Sequence, residues 1–154
     1  MGAPARRGTG SVDRRHNVPG SRLAEVNPQR VAVKRRQMDQ APYFLDRDRR
    51  ATVLDACREV CLHYGWSLWA AHVRTNHVHA VVEADVRPEK IMHAFKSYAS
   101  RSLNRLWIDG PERKRWARHG STRWLWKDED VLECIRYVVS GQGEAMEVYL
   151  GDLL

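Results

Sequence analysis

His77-Val78-His79 and Tyr137 are the residues of this chain whose types and spacing are best suited to chemistry. Side chains alternate along a strand, so two histidines at i and i+2 share a face, about 6–7 Å apart at Cα. Two imidazoles so placed converge on one divalent cation that a single His holds poorly. A His-x-His also arises without any ligand role in a chain with seven His, and the pair alone leaves both readings open. No Cys cluster or third His stands at zinc spacing. A metal here needs an oxygen donor from elsewhere and an open face toward substrate, the arrangement of a cation polarising a phosphodiester.

Such a site still needs a nucleophile. Ser and Thr have no nearby base of recognisable pattern, and Cys57, Cys61 and Cys134 fall on helix stripes that read as buried. Two candidate tyrosines, Tyr98 and Tyr137, sit on the later predicted helices. At about 100° per residue, Tyr98 lies roughly 70° from the centre of its apolar stripe and Tyr137 roughly 160°. Tyr98 is a core-edge residue on that count. Tyr137, on the polar side, has no packing reason to be there and is either functional or an exposed or interface tyrosine.

The elements that must position these residues are legible from periodicity. Asp46 caps a helix whose Val53, Leu54, Cys57, Val60, Cys61 and Tyr64 recur at spacings of three and four, and Gly65 stops it. A strand pair follows, Trp66–Val73 and Asn76–Ala84, joined around Arg74-Thr75. Val78, Ala80, Val82 and Ala84 form its core face, so His77 and His79 point away from that core. A second helix starts near Pro88 and runs to about Trp107, with Ile91, Phe95, Tyr98, Ala99, Ser102 and Leu106 in one stripe. A basic loop from Asp109 to Gly120 leads to a short strand, Thr122–Trp126. A third helix after Lys127-Asp128 carries Val131, Leu132, Ile135, Val138 and Val139, and Gly141 and Gly143 end or distort it. The pattern predicts an α+β domain, helices packed on one face of an antiparallel sheet.

With 154 residues and 43% apolar side chains, the chain makes one domain with a real core. Residues 1–40, with Pro4, Pro19 and Pro28 among Gly, Ser and Arg, read as a basic flexible arm ahead of a domain at 41–154. No apolar run reaches the roughly 18–20 residues of a membrane span, and the start has no apolar signal segment. Three cysteines that cannot all pair suit reduced thiols in a cytoplasmic protein. The net charge of +7 is uneven: residues 86–127 hold 11 basic and 3 acidic side chains, residues 128–154 hold 1 and 7. Lys90, Lys96, Arg101, Arg105, Arg113, Lys114, Arg115, Arg118 and Arg123 in the basic block are the candidate phosphate contacts. Trp107, Trp116, Trp124 and Trp126 interleave with them, as suits single strands, unless several are core.

The order Asn76-His77-Val78-His79, then Phe95-Lys96-Ser97-Tyr98-Ala99-Ser100-Arg101, then Trp116 with Arg118-His119-Gly120, then Ile135-Arg136-Tyr137-Val138 resembles the single-tyrosine HUH transposases. The closer match is to their REP-associated, IS200-like branch. The similarity spans roughly residues 43–145 and keeps a gap of 60 between His77 and Tyr137. It implies a ferredoxin-like fold, Mg²⁺ or Mn²⁺ on His77 and His79, and attack by Tyr137 on a DNA phosphate to give a 5′-phosphotyrosine. A phenol ionises near pH 10, so a nearby cation would assist both its ionisation and the phosphate's charge. The implied partner is single-stranded or hairpin DNA, handled by a monomer or homodimer.

Two positions depart from that pattern. The usual third ligand, Gln or Asn four residues after the tyrosine, is here Gly141, and Gln142 takes the role if the flanking glycines bend the helix. The strand that normally precedes the first helix is missing from residues 1–40, Leu23–Val33 being the nearest candidate and carrying Pro28. Three functions follow: a nicking and strand-transfer enzyme, a nucleic-acid binding module of the same fold without the chemistry, or a metal-dependent hydrolase whose tyrosine only positions substrate.

Overall fold

The computed structural model describes residues 2–3, 29 and 40–152. The proposed arm at 1–40, including Leu23–Val33, lies outside the described residues except for 2–3, 29 and 40. Seven elements follow in order: β1 (Gly2–Ala3), α1 (Arg47–Tyr64), β2 (Ser67–Val73), β3 (Val78–Glu83), α2 (Pro88–Asn104), α3 (Asp128–Ser140) and β4 (Glu147–Leu150). The antiparallel sheet runs β1-β3-β2-β4. The two-residue β1 pairs with Val81 and Ala80 on β3, so a strand does meet the edge where the sequence predicts none.

The helix limits follow the signals that predict them. The Asp46 carboxylate accepts from the Arg49 N–H at 2.9 Å, satisfying an N-terminal amide of α1, and Gly65 at φ 69° ends it. Pro88 opens α2, and the Gly141 N–H caps α3 on the Tyr137 carbonyl. β4 has no counterpart in the sequence reading. Thr122–Trp126, expected as a strand, is irregular.

The β2–β3 hairpin sets everything that follows. Val73 pairs with Val78, His72 with His79, Ala71 with Ala80 and Ala70 with Val81, and a bulge between Leu68 and Ala70 restores the alternation beyond. The connection is therefore the four residues Arg74–His77, closed by the Arg74 N–H on the His77 carbonyl at 2.9 Å. His77 stands in the turn, and only His79 is within the strand.

Two cores sit on the two faces of this sheet. Leu68, Ala71, Val73, Ala80 and Val82 pack with Val53, Leu54, Cys57 and Cys61 of α1 and with Ile91, Ala99 and Leu103 of α2. Ala70 and Val81 pack with Ile135 and Val138 of α3 and with Leu125. The helices thus cover both faces, rather than one as the pattern predicts, and α3 lies over the histidine side. Among the described residues no helix is long and apolar enough to cross a membrane.

Candidate active site

The site is built where α3 crosses the hairpin. The Ala70 methyl and Val81 receive Ile135 and Val138, and the next cross-strand pair toward the turn is His72 opposite His79. The rings of His77 and His79 meet edge to face with centroids 4.9 Å apart. Those of His79 and Tyr137 do the same at 6.0 Å. The three side chains form one continuous row. Tyr137 is half-buried against the α3 core, not on a polar face as its angle in the sequence suggests. The stripe is rotated from the one expected: Leu132, assigned to it, is 45% exposed.

Hydrogen bonds fix the imidazoles. His77 Nδ1 lies 2.7 Å from Asn76 Oδ1. A proton on Nδ1 donated to that amide oxygen leaves Nε2 with its lone pair, the form a metal ligand requires. His72 is a buried residue of this face that the motif reading passed over. Its Nδ1 reaches the Val138 carbonyl at 3.0 Å and its Nε2 accepts the Met146 N–H at 3.1 Å. Both ring nitrogens are thereby committed to backbone, and His72 is a neutral brace between β2, the end of α3 and the strand that follows. Burial lowers its pKa, the Val138 hydrogen bond opposes that, and the Arg74 charge adds to it. Its signal in the sequence was the hairpin register, which sets it opposite His79.

Gly141 and Gln142, where the sequence departs from the family pattern, lie at the end of α3. A Cβ on Gly141 would stand 2.7 Å from Tyr137 Cδ2 and 2.9 Å from the Tyr137 backbone. A side chain at that position would displace the tyrosine ring. The helix ends at Ser140 and Gln142 folds back, donating from Nε2 to the Val138 carbonyl at 3.0 Å. That residue is 4% exposed, and its Oε1 is buried without a hydrogen-bond partner among the described residues. A buried amide oxygen left in that state is costly unless something electropositive occupies its lone pairs. Among the described residues no three His, Cys, Asp or Glu side chains gather as metal ligands.

Other nucleophiles recede. Burial pushes the Cys61 thiol up to about 12 and raises those of Cys57 and Cys134 as well. Tyr98 sits on the opposite side of the sheet, packed against the α1–α2 core with Arg101 over its ring. A cleft of about 280 Å³ lined by Arg58, Trp66, Trp69 and Tyr149 contains none of the row's residues.

The expected phosphate contacts are dispersed. Lys90 and Arg101 lie over the rings of Tyr64 and Tyr98, on the α1–α2 layer. Lys96 donates to the Ala117 carbonyl at 2.9 Å, and burial lowers its pKa. Arg113 bonds Gln40 and the Ala41 carbonyl. The Arg115 side chain is only 3% exposed, beside Asp109. For Asp109, burial alone would raise the pKa, but hydrogen bonds from Tyr43 and Arg49 hold it below the usual carboxylate range. Arg113, through Gln40 and Ala41, and Arg115, over the Tyr43 ring, pin the loop to the segment before α1. Arg105, Lys114 and Arg118 are exposed, and Arg123 is half-buried near α3.

A family profile described as transposase, IS200 like, matches residues 33–129. The matched span contains the hairpin with both histidines and all of α2, and ends as α3 begins. No curated protein matches the chain.

Proposed function

The chain belongs to the IS200-like transposase family, and from that premise we propose that it nicks and rejoins single-stranded DNA, at hairpins, through Tyr137. Family membership carries transposition and DNA binding; the nucleophile, the metal and the strandedness are our reading. The observation that supports it is the row His77–His79–Tyr137, with ring centroids 4.9 and 6.0 Å apart.

In this reading the Tyr137 oxygen attacks the scissile phosphorus. Its O–P bond forms as the P–O3′ bond breaks, giving a 5′-phosphotyrosine; solvent takes the phenolic proton and returns one to the departing O3′, leaving a free 3′-OH. Attack by another 3′-OH reverses the step and returns the tyrosine, so cutting and rejoining need no ATP. His79 packs edge to face on the Tyr137 ring and limits its orientation. Gly141 leaves room for that ring, and His72 braces the Val138 carbonyl, one residue along from the nucleophile.

His77, His79 and Gln142 would hold the divalent cation, and the buried Gln142 Oε1, which has no hydrogen-bond partner among the described residues, is the feature that fits one. When bound, Mg²⁺ or Mn²⁺ would neutralise charge building on the phosphate. Two imidazoles with one amide oxygen suit Mn²⁺ better than the harder Mg²⁺. Incubation with a single-stranded hairpin and Mn²⁺, then denaturing electrophoresis, should give a protein–DNA adduct, stronger than with Mg²⁺. Free 5′-phosphate without an adduct would indicate the hydrolase. Salt-sensitive binding with neither product would indicate a binding module.

A further inference from the structure

Residues 122–127 connect the basic loop to α3 and are not a regular strand. Leu125 points inward, buried with Ala70, Val81, Ile135 and Val138 in the core against which Tyr137 packs. Trp124 and Trp126, on either side of it, stack on each other with centroids 5.4 Å apart and planes 7° from parallel. Trp126 is nevertheless 73% exposed and Trp124 is half-buried. The inner indole backs the outer one, and the outer one offers most of its surface to solvent. Such a ring pays the cost of an exposed aromatic while already being held in one orientation.

Cations flank the pair. Lys127 is exposed directly after it. Arg123 comes directly before it, and its charge acts on the Cys134 thiol, one helical turn ahead of Tyr137. The rings close a block of 11 basic and 3 acidic side chains. A flat, pre-oriented π-face at the end of a strongly basic stretch of chain matches one chemistry well: an unpaired base with its neighbouring phosphates. A duplex hides its base faces within its own stack.

We propose that Trp126, backed by Trp124, is a stacking platform for one unpaired base of the single strand approaching Tyr137, with the exposed Lys127 on an adjoining phosphate. The proposal rests on the strand-transfer reading for its location, but it makes a separate claim about binding.

The test uses the full chain carrying Tyr137→Phe, so that binding is measured without chemistry, and two probes, a short labelled oligothymidine and a duplex of equal length. Trp126→Ala should weaken the single strand by between about fivefold and a hundredfold, the effect of losing one stacked base. It should leave the duplex unchanged, and Trp126→Phe should recover most of the loss. Trp107→Ala, removing an indole that is 90% exposed at the end of α2, should have the smaller effect. Equal losses for both probes, no loss, or no rescue by Phe would overturn the platform. So would a Trp126→Ala protein whose sedimentation shifts to a smaller species, since the ring would then be a contact between copies. An adduct formed by the wild-type chain together with unchanged Trp126→Ala binding removes the platform alone. Selective loss of single-strand binding without any adduct from the wild-type chain keeps the platform and removes strand transfer.

Discussion

The two faces of the β2–β3 hairpin differ in what they bury. Toward α1 and α2 the strands present Leu68, Ala71, Val73, Ala80 and Val82, all apolar. Toward α3 they present Ala70 opposite Val81 and then His72 opposite His79. Period-two alternation lets one pair of strands carry both sets without mixing them. The first face buries a large apolar surface and stabilises the fold. The second holds polar groups whose burial costs stability unless each finds a partner. His72 finds backbone on both nitrogens, whereas Gln142 Oε1 has none among the described residues. One face is finished by folding alone. The other is finished, in our reading, by a cation and a DNA phosphate.

The sharpest way to separate the faces is to remove one atom from the second. Tyr137→Phe should abolish adduct formation, by at least about a thousandfold, since it deletes the nucleophile. Its thermal midpoint should stay near that of the wild type; residual covalent product would break the distinction. Leu103→Ala, on the first face, should do the reverse. It should cost about 2–5 kcal/mol of stability by denaturant titration, as buried leucine truncations do, with adduct yield per folded molecule unchanged.

A subtler change falls on Asn76. Asn76→Ala removes the hydrogen bond that sets the His77 tautomer and should weaken Mn²⁺ binding about tenfold to a hundredfold by calorimetry, with folding intact. Unaltered affinity would mean that the His77 ring is not a ligand.

The smallest effect is the pH dependence contributed by His72. Its folded pKa lies below the unfolded value of about 6.5. Its contribution to stability is therefore complete above that pH. It declines as the pH falls below about 6.5 toward the folded value, because the unfolded chain takes the proton first. The thermal midpoint of the wild type should drop more between pH 7 and 5 than that of His72→Gln. Equal slopes would contradict a neutral, braced His72.

Much of this arrangement was readable before any coordinates. Asp46, Gly65 and Pro88 marked helix ends because capping chemistry is local. His77, His79 and Tyr137 stood out by residue type and spacing. What escaped depends on contacts distant in the chain. β4 is a four-residue strand without a buried residue, made a strand by pairing with β2. Thr122–Trp126 reads as a strand in the sequence, but α3 and the sheet hold it through Leu125 without a ladder. The inward turn of Tyr137 could not be had from one helix's angles, because the receiving surface belongs to the other side of the hairpin. Arg115 reads as a solvated cation until Asp109, Arg49 and Tyr43 are brought beside it.

The central claim is that the tyrosine beside the histidine pair is the residue that joins DNA. Proteolysis of the Mn²⁺-dependent adduct and mass spectrometry of the nucleotide-bearing peptide test it directly. A 5′-phosphodiester is expected on the peptide containing Tyr137. A link to Tyr98, or to any other residue, would contradict it.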